Sequence, residues 1–165
     1  MIRRRRLLLA LGAGLLAAPF ADFAQQPRIY RVGYLANDPD RASPTFQAFI
    51  GALRQLGWVE GKNIDIRYLT SNGRDERFAE LAARVVHDKV DVIVTTGSGS
   101  TRAAKAATDT IPIVFGSAAN PVEQKFVASL ARPGGNVTGL SILVQELGPK
   151  RLQLLKEMLP HATRI

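Results

Sequence analysis

Beyond residue 27 the chain alternates short β-branched and aromatic runs with longer segments whose apolar positions recur at helical spacing. Strand–helix units of this kind feed a parallel sheet. Ile29 to Leu35 predicts a first strand. Phe46, Phe49, Ile50, Leu53 and Leu56 then fall at i, i+3, i+4, i+7 and i+10, one face of a helix that Ser43 is placed to cap, Pro44 to begin and Gly57 to end. Ile64, Ile66 and Tyr68 alternate with Asn63, Asp65 and Arg67, so the second strand has one wet face and belongs near a sheet edge. Phe78, Leu81, Ala82, Val85 and Val86 mark one face of a second helix, and Val92, Ile93 and Val94 form an apolar strand expected at the sheet centre.

A small alanine-rich helix follows from about Thr101 to Thr108, then a strand over Ile111 to Phe115 that tolerates Pro112 near its start. A fourth helix is expected over Pro121 to Ala131, with Asn120, Pro121 and Glu123 in a capping-box arrangement and Pro133-Gly134-Gly135 ending it. Val137 to Leu140 is the fifth strand. The last helix, roughly Gln145 to Leu159, carries Leu147, Leu154, Leu155, Met158 and Leu159 along one side. Such a stripe must pack on something to be stable, so this helix either folds back onto the sheet or covers an element the chain lacks. The fold class is α/β: a Rossmann-like open parallel five-stranded sheet with helices on both faces, plus an orphan C-terminal helix.

Residues 1–24 read differently. Arg3 to Arg6 precede an apolar run from Leu7 to Ala18, and small residues follow before Gln25 and Gln26. That is the layout of a cleaved secretory signal, and the run is shorter than the roughly 20 residues a spanning helix needs. Cleavage is expected after Ala24, and the mature protein in the periplasm or another extracytoplasmic space. Paired arginines before the apolar run leave twin-arginine export open beside the general route.

The formal net charge is +8, but without Arg3 to Arg6 and Asp22 there are 18 basic and 13 acidic residues, or +5, scattered along the chain. No basic helix face or aromatic-interleaved stripe tracks a phosphate backbone, so nucleic acid is not expected as a partner. The chain has no cysteine, which removes disulfides, thiol nucleophiles and a lipid-anchoring cysteine. His87 and His161 lie far apart without the carboxylate-rich surroundings of a metal site. Neither metal nor cofactor is expected.

In an open parallel sheet, ligands bind outside the carboxyl ends of the strands where strand order reverses. Four loops qualify: those starting at Ala36-Asn37-Asp38, at Thr96-Gly97-Ser98-Gly99-Ser100-Thr101, at Gly116-Ser117-Ala118-Ala119-Asn120, and at Ser141. The second combines glycines, hydroxyls and a helix N-terminus, an uncharged cradle for a carboxylate or other anion. It lacks the lysine of a Walker loop, the third glycine of a dinucleotide fingerprint and the G-x-S-x-G of a nucleophile elbow. Each candidate also has a structural reading. Ser100 or Thr101 can simply cap a helix, Asn120 can serve its capping box, and Asn37 and Asp38 can form a turn before Pro39. Tyr34 reads as core, Trp58 as an aromatic lid over it, and Arg74 to Arg77 as a solvated helix start. No acid/base pair, Ser–His pair or metal cluster converges on the loops, so no enzyme is expected.

The stretches LRQLGWVEGKNIDIRY (53–68), PIVFGSAANPVEQKFVASLARPGGNVTGLS (112–141) and ELGPKRLQLLKEMLPHATRI (146–165) resemble the ABC-type substrate-binding family that includes tryptophan-binding TrpX-like proteins. The resemblance implies a type I periplasmic binding protein fold, two α/β lobes closing on a small solute for delivery to an ABC permease. On that pattern residues 1–24 are the signal, 28–143 the first lobe, and 144–165 the hinge and first helix of a second lobe that is truncated. It also implies ligand contacts at Asn37, at Thr96, Gly97, Ser98, Ser100 and Thr101, at Ser117 and Asn120, and at Ser141, in a protein expected to be a monomer. Three other readings stay open: a sensory module built on the same lobe, a small flavodoxin-like enzyme, and a nonfunctional gene fragment. The export signal and the missing phosphate loop count against the enzyme.

Overall fold

The computed structural model describes residues 28–142 and 144–160; the expected signal, residues 1–24, and the terminal residues 161–165 lie outside the described residues. Five strands, β1 (Tyr30–Ala36), β2 (Ile64–Thr70), β3 (Val92–Thr96), β4 (Ile113–Ala119) and β5 (Val137–Ile142), form one sheet in the order β2-β1-β3-β4-β5. Every neighbouring pair is parallel. All five carboxyl ends therefore lie along one sheet edge. The half-wet β2 is at the margin and the apolar β3 at the centre, as their patterns predict.

Among the described residues four α-helices accompany the sheet: α1 (Pro44–Gln55), α2 (Phe78–His87), α3 (Ser98–Ala107) and α4 (Val144–Met158), with a 3-10 turn at Asp75–Arg77 leading into α2. On one face, Phe78, Leu81 and Val85 of α2 and Ala104 of α3 bury against Leu35, Ile93, Ile113 and Phe115. On the other, Phe46 and Ile50 of α1 cover Val32, Tyr34, Ile64 and Ile66. Each large side chain buried this way contributes roughly 1.5–3 kcal/mol. Gly33 brings α2 close to β1, since a β-carbon there would press on Val85.

The structure corrects the fourth helix. Residues 121–136 hold no helix but a chain of turns. Asn120 (φ 45°) and Lys125 (φ 57°) sit in the left-handed region, which a helix cannot contain. The peptide closes on itself through Phe126 N–H to Pro121 O (2.8 Å) and Ala128 N–H to Pro133 O (2.9 Å). Asn120 is accordingly no helix cap: its Nδ2 donates to the Glu123 carboxylate at 2.9 Å.

Two smaller corrections concern helix starts. Gly97 takes φ 99°, open to glycine, and turns the chain within one residue, so α3 begins at Ser98 rather than near Thr101. Ser43 makes no side-chain cap bond to α1, although Pro44 begins that helix.

The apolar stripe of α4 remains exposed: Leu147 and Leu154 at 47% and Met158 at 78%. On the α1 side, no helix among the described residues covers the β3–β5 half of the sheet. Val114 is exposed there beside Trp58, Phe49 and Leu53, along an apolar groove of about 720 Å³. Trp58 meets Tyr30 edge-on at 5.5 Å.

Candidate functional site

Strand order places β1 and β3 side by side, and the chain leaves β1 towards β2 but leaves β3 towards β4. The reversal point, where a parallel sheet opens a crevice, is therefore between the tips of β1 and β3. Asn37 and Thr96 stand on those tips and line one cavity of about 170 Å³ with Tyr34, Asp38, Ser43, Thr45 and Tyr68.

The β1 tip is held from the β2 tip. The buried Ser71 hydroxyl donates to Asn37 Oδ1 at 2.5 Å, and Gly73 N–H donates to Asn37 O at 3.1 Å. With its oxygen occupied, Asn37 has its Nδ2 without a partner among the described residues. The Tyr68 hydroxyl donates to Asp38 O at 2.8 Å and fixes the next residue of the loop. The β3 tip is tied to β1 by Thr96 Oγ1, which donates to Leu35 O at 3.3 Å.

Across Gly97 the polar edge continues. Gly97 N–H donates to Ser117 O at 2.9 Å, and a register shift after Thr95 pairs Thr96 with Ser117. Gln124 Nε2 donates to Ser98 Oγ at 2.9 Å and also to Ala119 O, while its Oε1 accepts from Arg102 at 2.7 Å. One amide thus joins the β3 and β4 tips. Ser141 stands in register with Ala118 of β4.

Ser100 and Thr101 are placed otherwise. Both are fully buried. Ser100 Oγ and Thr101 Oγ1 donate to Gly97 O at 3.1 and 2.7 Å, and Thr101 Oγ1 also lies 2.8 Å from Thr95 Oγ1. Their hydroxyls build the turn from within and face no crevice. Asn37, Thr96, Gly97, Ser98, Ser117, Asn120 and Ser141 remain at least partly accessible along the strand tips.

Sequence reasoning missed three contributors, Tyr68, Ser71 and Gln124; Tyr34, read as core, is core and also lines the cavity. Tyr34 and Tyr68 sit at matching positions of paired strands and stack 5.4 Å apart, 12° from parallel. The alternation of β1 and β2 puts both tyrosines on the α1 face. Ser71 and Gln124 carried no local signal, because their partners lie in other loops. Burial, and then the neighbouring Tyr68, push the Tyr34 hydroxyl pKa upward, so it stays protonated. Among the described residues no group of three or more His, Cys, Asp or Glu gathers as metal ligands.

A family model described as ABC transporter substrate binding protein matches residues 38–165. The chain belongs to that family. Among ABC transporter substrate binding relatives, it is 36% identical over 119 residues to a tyrosine-binding protein of Clostridioides difficile (strain R20291), covering 72% of this chain and 34% of that one. A conserved domain protein from Vibrio cholerae O1 biovar El Tor superposes with a TM-score of 0.74 at 34% identity, over 81% of this chain and 45% of the other. The ligand-free, open structure of a substrate binding protein with adhesive properties from Clostridium difficile gives 0.68 at 32%, with the same coverage of 81% and 45%. An ABC domain from Streptococcus pneumonia in complex with L-Trp shares the fold at 22% identity, with a TM-score of 0.60 over 68% of this chain and 38% of that one. The matched region thus spans less than half the length of each of these relatives. Among the described residues no helix is long and apolar enough to cross a membrane.

Proposed function

We propose that this substrate-binding protein is the extracytoplasmic solute receptor of an ABC importer, exported by a cleaved signal at residues 1–24 and handing its solute to a membrane permease. The solute is a small polar metabolite, an amino acid or a related compound. The tyrosine-binding relative supports that class. One observation carries the reading: five parallel strands bring Asn37, Thr96 to Ser98, Ser117, Asn120 and Ser141 to a single polar edge beside the reversal point.

In this reading residues 28–143 form one wall of a two-walled site, and 144–165 are the hinge and first helix of the other. The exposed stripe of α4 supports that division, because its leucines meet no core in this lobe. Closure normally buries a ligand from both sides, and one wall leaves half of it in water. Calorimetry of the 165-residue chain against the common amino acids is expected to show saturable binding weaker than micromolar, lost when Asn37 and Ser98 are both replaced by alanine. Saturable binding that survives this double replacement would refute the site, and a micromolar constant would refute the two-walled reading.

A further inference from the structure

Tyr34 is only 3% exposed, yet its hydroxyl has no hydrogen-bond partner among the described residues. No fully buried side-chain oxygen or nitrogen is left unpartnered among those residues, so the small accessible part of Tyr34 includes the hydroxyl. The space it borders is the cavity at the β1 and β3 tips. A buried polar group without a partner costs about 1–3 kcal/mol, and a ligand group that satisfies it recovers that cost.

The cavity has a charge as well as a free hydroxyl. Asp38 is the one ionisable lining residue besides the two tyrosines. Its Oδ1 accepts from Asp40 N–H at 2.9 Å, which leaves Oδ2 without a partner among the described residues. The nearby cation is committed elsewhere: Arg41 bonds Glu60 at 2.7 Å and lies over the Phe46 and Tyr68 rings. The N-terminus of α1 also borders the cavity through Ser43 and Thr45, but a helix end carries about half a positive charge, less than the Asp38 carboxylate. The balance is negative. The cavity is small, about 170 Å³.

We infer that this cavity is a subsite for a protonated amine of the solute, with Asp38 supplying the opposing charge and the Tyr34 hydroxyl a hydrogen-bond acceptor beneath it. The inference rests on the solute-receptor reading and adds to it which end of the molecule enters first. The tyrosine ring keeps its packing between Phe46 and Tyr68 when its oxygen is removed, so Tyr34→Phe tests the hydroxyl without emptying the core. In Asp38→Asn the oxygen that accepts from Asp40 N–H is retained.

The test is an NMR titration of the 165-residue chain with L-tyrosine and with 3-(4-hydroxyphenyl)propionate, which lacks only the amine. L-tyrosine is expected to bind at least about tenfold more tightly, and Tyr34→Phe and Asp38→Asn each to reduce that preference by about three- to tenfold. Equal affinity for the two probes, or a preference that both variants leave intact, would overturn the amine subsite while the solute-receptor reading stands. Failure of both probes to bind at millimolar concentration would overturn the subsite together with the amino-acid reading.

Discussion

The Ser71 hydroxyl donates to Asn37 Oδ1 at 2.5 Å across 34 residues of sequence, so the β2 tip fixes the side chain that stands on the β1 tip. Ser71 is fully buried and cannot turn to water instead. Replacing it by alanine removes a hydrogen bond worth about 1 kcal/mol and lets the Asn37 amide rotate, for a fall in Tm on the order of 4 °C. Thermal denaturation measures the first effect. Weaker solute binding by Ser71→Ala, although the residue lines no part of the cavity, measures the second.

Thr101 separates a builder of the turn from a ligand contact. Thr101→Val keeps its shape but leaves the buried Thr95 Oγ1 without its partner inside the fold. A loss of about 1–3 kcal/mol in urea denaturation is expected. At temperatures where the variant stays folded its solute affinity should match the parent, because the hydroxyl faces inward.

Gly139 lies against Phe115, where the β4–β5 register shifts. At φ 155° a β-carbon on residue 139 would land on the Phe115 carbonyl oxygen and ring. Gly139→Ala should therefore cost about 3 kcal/mol through backbone strain and overpacking. Urea midpoints of the two proteins give the difference. The neighbouring Thr138 is exposed, and Thr138→Ala should leave the midpoint nearly unchanged.

Asp91 joins the starts of β1 and β3, at the end of the sheet away from the polar edge. Its carboxylate accepts from Arg31 N–H at 2.8 Å and pairs with the exposed Arg28. The Arg31 amide, more than the Arg28 charge, holds its pKa below the usual 3.8. A carboxylate with a lowered folded pKa binds fewer protons than in the unfolded chain. Its stabilisation is complete above the unfolded value near 3.8 and fades as pH falls through the folded value. Denaturation from pH 6 to pH 2 should show the parent losing stability below about pH 4 more steeply than Asp91→Asn.

Strand identity, the marginal place of β2 and the central place of β3 were legible because a parallel sheet writes its burial into each strand: Ile93 is sealed, and Asp65 and Arg67 are not. The stretch from Pro121 misled because its apolar residues also fit a helix. What breaks that helix is the backbone at Asn120 and Lys125 and the return of Ala128 to Pro133, contacts set by the loop's packing on Phe126. That the carboxyl ends of the strands would share one edge was legible from the repeating strand–helix pattern. Which of their side chains are free was not, since burial turns Ser100 and Thr101 inward while leaving Ser98 and Thr96 near the crevice. Tyr34 shows the converse: an alternation that marks a core position does not say that the far end of the side chain reaches a cavity.

The most direct measurement is an amide NMR map of the 165-residue chain with millimolar L-tyrosine added. Shifts are expected to be confined to the strand tips, at Asn37 and Asp38, Thr96 to Ser98, Ser117 to Asn120 and Ser141. Shifts centred on the apolar groove at Phe49, Leu53, Trp58 and Val114, with the tips unmoved, would contradict that expectation.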